Sequence, residues 1–137
     1  MAVEPKPVAK PSTRLSRFED LVAWQKARVL TRDVYKTTQR GTIAKDWALS
    51  SQLQRASVSI MSNLAEGFER THAREFHQHL NVAKASCAEV RSHLYVALDV
   101  GYVDQKGFDS LMTQAEETTR IVGGLRASVE RKMNADR

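Results

Sequence analysis

The chain has 137 residues, 42% of them hydrophobic and 27% charged, which suits one soluble domain with one sizeable core and argues against a disordered polymer. All three prolines fall within the first eleven residues, only six glycines are present, and Cys87 is the sole cysteine, so a turn-rich β-sandwich and an internal disulfide are both excluded. The formal charge is +5 and the pI about 9.6, with no apolar run long enough for a membrane span and no apolar signal-peptide core, so the expected location is the cytoplasm.

In chain order, "MAVEPKPVAKPSTRLSR" (residues 1–17) reads as a basic, disordered arm, because its prolines oppose helix and it offers little to bury. A bundle is expected over 18–132 and a short tail over 133–137. The first helix is predicted from "SRFE", with Ser16 as cap and Glu19 reaching back in a capping box, to about Gln39, where Gly41 ends it. Its core face is Ala23, Ala27, Leu30, Val34 and Thr37. "GTIAKD" reads as a loop, and Asp46 caps the second helix. Leu49, Leu53, Ala56, Ile60, Asn63 and Gly67 step by four and three along that helix, with Gly67 as its stop.

Thr71 is the expected cap of a third helix, whose core line is Phe76, Leu80, Ala83, Cys87, Val90, Leu94 and Ala97, ending at Gly101. Asp104 opens a fourth, with Phe108, Leu111, Ala115, Thr118, Val122, Leu125 and Val129 on one face. Gly123 and Gly124 interrupt it, for which close packing or a kink are the usual reasons. Four long amphipathic helices with short connections predict an all-α, antiparallel up-down-up-down four-helix bundle.

The charge is unevenly placed. Residues 1–17 hold four Lys/Arg against one Glu, and residues 18–45 hold six against three, so each segment carries +3. The remaining 92 residues carry eleven against twelve, so the whole surplus lies in the first third. Arg28, Arg32, Lys36 and Arg40 are each four apart. Such like charges destabilise a helix by a few tenths of a kcal/mol per pair, a cost that phosphates would offset by neutralisation and counterion release. The ridge is therefore a candidate nucleic-acid-binding surface, directed at the backbone since no base-reading motif is visible. The plainer alternative is a solvated face.

The stretch "RASVSIMSNLAEGFER" (55–70) sets polar residues into an apolar helix. Arg55, Ser59, Asn63 and Glu66 are expected to meet Ser86 and Glu89 of the third helix in a polar seam that fixes register, without catalysis. On the other flank Val58, Met61, Ala65 and Phe68 widen the apolar surface beyond what one core needs, which points to an oligomer interface.

"FEDLVAWQKARVL", "QLQRASVSIMSNLAEGFER" and "AKASCAEVRSHLYVALDVGY", in this order, resemble the four-helix-bundle proteins encoded in intervening sequences of bacterial 23S ribosomal RNA genes. The resemblance covers about 18–130 and is most specific at Gln52, Arg55, Ala56, Ser59, Asn63, Glu66, Gly67 and Arg70, with Ser86–Glu89 and Gly101–Tyr102 following. Two positions depart from the family pattern: "GTIAKDW" replaces its aromatic–Pro pair, and Ala85 its glycine. The resemblance implies a ring-shaped homopentamer without known catalytic activity. It also implies a distant likeness to the accessory protein of diversity-generating retroelements, a basic ring that binds nucleic acid and a reverse transcriptase.

No catalytic, metal or cofactor site is expected. The pairs Glu75/His79 and Glu89/His93 lack the matching carboxylates that a di-iron bundle takes from its other helices. Cys87 on a core line reads as packing, and no phosphate loop or nucleophile elbow is present. Trp24, Trp47, Tyr95 and Tyr102 read as packing or interface residues. The expected partners are further copies of the chain, structured RNA or DNA, or another protein, the last making the chain an interaction scaffold with no nucleic-acid role.

Overall fold

The computed structural model describes residues 15–136, so most of the expected N-terminal arm lies outside the described residues. Four α-helices carry the fold: α1 Val22–Thr38, α2 Trp47–Phe68, α3 Ala73–Asp99 and α4 Gln105–Ala135. Short 3-10 turns stand at Phe18–Asp20 and Thr42–Lys45, and there is no strand among the described residues. Among the described residues no helix is long and apolar enough to cross a membrane.

α1 starts five residues later than a Ser16 cap predicts, with Leu21 at the cap position. Asp20, rather than Glu19, accepts from the Ser16 and Arg17 backbone N–H groups (both 3.3 Å), which closes a 3-10 turn before the helix begins. Glu19 instead pairs with Arg17 at 3.2 Å. Asp46 does cap α2, accepting from Leu49 N at 3.1 Å, and Asp104 caps α4 through Gly107 N at 2.7 Å. Thr71 caps nothing: α3 starts after His72, in extended backbone, without a side-chain cap. The end of α3 is a Schellman turn, with Tyr102 N bonded to Ala97 O (2.8 Å), Gly101 N to Leu98 O (3.1 Å), and Gly101 at φ 82°. α4 continues to Ala135, so most of the expected tail is helix.

Cross-helix pairs give the topology. Thr38 meets Gln54 and Thr31 meets Ser57 between α1 and α2. Asn63 meets His79 and Ser59 meets Ser86 between α2 and α3. Asn81 meets Arg126 and Tyr95 meets Phe108 between α3 and α4. Asp33 meets Gln114 and Lys26 meets Glu117 between α1 and α4. In every pairing one number rises as the other falls, so each neighbour runs antiparallel and α4 closes back on α1.

The core is the interior where the four stripes meet. Leu30, Val34, Leu53, Ile60, Leu64, Leu80, Val90, Leu94 and Val122 are fully buried, each large side chain contributing about 1.5–3 kcal/mol. Ile43 in the inter-helix turn plugs the core, and Ser50 Oγ donates to its carbonyl at 2.6 Å. Two expected core positions shift by one residue. Thr38, not Thr37, is buried on α1, bonding Val34 O at 2.8 Å, and Leu64, not Asn63, completes the α2 stripe. Cys87 is buried among these residues, and burial pushes its thiol pKa up, Thr119 and Arg91 opposing only in part.

Candidate nucleic-acid interface

Arg28, Arg32 and Lys36 lie exposed along α1, whereas Arg40, also exposed, stands in the turn just beyond the helix end and so departs from the helical ridge expected of it. The ridge is not uniform. Arg32 Nε is 3.0 Å from Asp33 Oδ1, while among the described residues Arg28, Lys36 and Arg40 have no carboxylate within 4.0 Å. Arg28 rests over the Trp24 ring, 5.7 Å from its centroid, and Trp24 is held edge-on by Phe18 at 5.2 Å. Burial pushes the Asp33 carboxyl up, but hydrogen bonds from Arg32 and Gln114 and the charges of Arg32 and Lys36 outweigh it, leaving the pKa below the usual aspartate value. One ridge charge is thus partly spoken for, and three face solvent.

The polar seam between α2 and α3 is a continuous hydrogen-bonded chain. Asn63 Nδ2 donates to Ser59 O (2.9 Å) and Ser59 Oγ (3.2 Å), which leaves Asn63 Oδ1 to accept from His79 Nδ1 at 3.0 Å. Ser59 Oγ also shares a hydrogen bond with Ser86 Oγ, 2.8 Å away. His79 joins the seam beyond the expected Ser86 and Glu89, lying seven residues before Ser86 and so on the same face of α3. Not every expected member joins. Glu66 is exposed beside Ala65, Glu69 and Arg70, clear of the seam. Arg55 and Glu89 line a groove with Ser59 but lie beyond ion-pair distance of each other.

Gly67 sits just below this chain. A Cβ there would stand 2.7 Å from His79 Cβ and 2.8 Å from Phe76 Cδ1. Its role is therefore close helix approach, not termination, and α2 runs one residue past it. Gly123 and Gly124 are the opposite case: added Cβ atoms would meet nothing within 4 Å, and α4 passes through both.

On the outer flank Val58 is 39% exposed, whereas Met61, Ala65 and Phe68 are half-buried, Phe68 edge-on to Phe76 at 6.2 Å. Val82, Val96 and Val100 also lie exposed on α3. Tyr102 packs on the core and donates its hydroxyl to Asp46 Oδ2 at 2.9 Å. Trp47, expected to pack or to form an interface, does not pack within the protomer: it is 75% exposed. Among the described residues no group of three His, Cys, Asp or Glu side chains is placed to hold a metal ion.

The family model described as "23S rRNA-intervening sequence protein" matches residues 19–124, which spans all of α1 to α3 and most of α4. The chain belongs to this family. A solved structure from Bacteroides thetaiotaomicron VPI-5482, described as a protein with unknown function from the S23 ribosomal protein family, superposes with a TM-score of 0.70. It is 19% identical and aligns over 77% of this chain and 98% of its own, a likeness of fold. No curated protein matches the chain. The family match embraces the ridge, the seam residues and Gly67 alike.

Proposed function

We propose that the protein is a non-enzymatic accessory factor of the cytoplasm that binds the phosphate backbone of structured RNA or DNA through Arg28, Arg32, Lys36 and Arg40. The observation that carries this reading is the ridge itself: three exposed cations on one helix and a fourth in the turn that follows it, three of the four with no carboxylate within 4.0 Å among the described residues. Repulsion along α1 favours an anionic partner, and spaced cations on a rigid helix suit a regular phosphate array. The polar seam then serves register and rigidity.

The protomer acts as part of a ring of identical copies, a pentamer. The surplus apolar flank at Val58, Met61, Ala65 and Phe68 supports association between copies, and a ring would repeat the ridge around its axis and multiply weak phosphate contacts. Light scattering of the purified chain tests this directly; a monomer mass at micromolar concentration removes the ring. The nucleic-acid reading is tested by reversing all four ridge cations to Glu. Binding is lost while the oligomer mass stays constant; unchanged binding sinks the proposal and leaves the scaffold role.

A further inference from the structure

The exposed Trp47 has a setting that backbone binding does not use. It opens α2 immediately after the Asp46 cap, and Asp46 is held from two sides, by Leu49 N at 3.1 Å and by the Tyr102 hydroxyl at 2.9 Å. The indole therefore projects from a fixed backbone, not from a loose loop. It lines an open cavity of about 530 Å³ between α1 and α2, with Tyr35 and Gln39 on one wall and Gln54 and Arg55 on the other. That volume is within the range of small-ligand sites. The Gln54 amide is pinned by its bond to Thr38 Oγ1 at 3.0 Å, so the cavity wall is preformed.

The ridge borders this cavity. Tyr35 stands three residues from Arg32, and Gln39 three from Lys36, so on the helix surface they are neighbours. A chain of phosphates following the ridge would carry its bases past the cavity mouth. Within one open cleft there are then an indole for stacking, a guanidinium, a phenol and two amides. That set suits a flat aromatic ring with polar edges attached to a polyanion.

We propose that Trp47 and the cavity behind it receive an unpaired base, making single-stranded RNA or DNA, or an unpaired segment of a folded one, the preferred ligand of this surface. The inference rests on the backbone-binding reading above, since the ridge supplies the phosphate contacts that bring the base there. Duplex nucleic acid, whose bases are stacked internally, would engage the ridge alone.

The test compares three fluorescein-labelled probes of equal length and charge: oligo-uridine, oligo-thymidine, and an abasic deoxyribose strand. The wild-type chain is expected to bind the base-bearing strands roughly 5- to 150-fold more tightly than the abasic one, the range for stacking of one base. Trp47→Ala should reduce both base-bearing strands to the abasic level and leave abasic binding unchanged, and Trp47→Phe should restore most of the difference. Equal affinity of the wild type for abasic and base-bearing strands overturns the inference while leaving the ridge intact; absence of all binding overturns both. A Trp47→Ala chain that keeps its preference for bases but changes its mass in light scattering overturns it too, and assigns the indole to contact between copies. Since Trp47 buries little, helix content of the variant should match the wild type by circular dichroism.

Discussion

Substituting Gly67 by Ala isolates a close approach of α2 and α3. Two effects compete. Alanine is the better helix former by about 1 kcal/mol, and Gly67 lies within α2 at ordinary helical φ, so propensity alone would stabilise. Against this, the new methyl would lie 2.7 Å from His79 Cβ and 2.8 Å from Phe76 Cδ1. His79 Cβ is fixed to its backbone, so the relief must come from α3 moving away. Overpacking of this kind costs about 1–3 kcal/mol, and displacing α3 also lengthens the His79–Asn63 bond just above it. The net expectation is destabilisation by about 1–2 kcal/mol, a fall in Tm of several degrees for a chain of this size. Gly124→Ala is the internal control: its methyl meets nothing within 4 Å, so only the propensity gain remains and Tm should rise. The assay is thermal unfolding by circular dichroism of both variants beside the wild type. If Gly67→Ala raised Tm as Gly124→Ala does, the close approach of α2 and α3 would be wrong.

The seam makes a coupled prediction. Asn63→Leu strands the ring nitrogen of His79 and leaves the Ser59 hydroxyl with Ser86 alone, costing about 1–3 kcal/mol, and alters assembly more than helix content; adding His79→Leu should recover part of the loss, and strictly additive single and double variants in chemical denaturation would show that the two side chains are not coupled. Asp33 makes a pH prediction. Its folded-state pKa is depressed, so its contribution is complete above the unfolded value near 3.8 and disappears as pH falls through the lower folded value. Asp33→Asn should therefore be less stable than wild type at neutral pH, and the two melting curves should converge in acid; a constant gap down to pH 2 would contradict the Arg32–Asp33–Gln114 arrangement.

Much of the fold was legible because its signals are local. An N-cap acts over a fixed offset, so Asp46 and Asp104 could be found by position, and a Schellman glycine after an apolar stripe marks Gly101. The misreadings come where two local answers were equally allowed. After Ile60, both Asn63 and Leu64 continue a three-or-four spacing, and only the placement of α3 turns Asn63 toward the seam and Leu64 into the core. Glu19 and Asp20 both stood near Ser16, and the shorter aspartate fits the tight 3-10 turn that replaces the first helical turn. Gly67 looked like a terminator because its reason is another helix, 2.7 Å from a methyl it does not have. For the site, Arg28, Arg32 and Lys36 follow from helical spacing alone, and Ser59 and Ser86 from polar positions on two helices that face each other, with Asn63 beside them. The exposure of Trp47 had no sequence signal: a tryptophan at a helix start packs or projects according to the neighbouring helix ends.

The central claim is that the α1 ridge is a phosphate-binding surface, and its most direct test is a titration with fluorescent duplex DNA and structured RNA at 50 and 200 mM salt. With three to four phosphates neutralised per protomer, the logarithm of affinity should fall with that of salt at a slope of about −2.7 to −3.6, a loss of roughly 40- to 150-fold between the two conditions. Micromolar or tighter binding that weakens this steeply, and that vanishes when Arg28, Arg32, Lys36 and Arg40 are reversed to Glu, is the predicted result. No binding at 50 mM salt, or binding indifferent to both salt and charge reversal, would contradict it and leave the ridge a solvated face on a protein-binding scaffold.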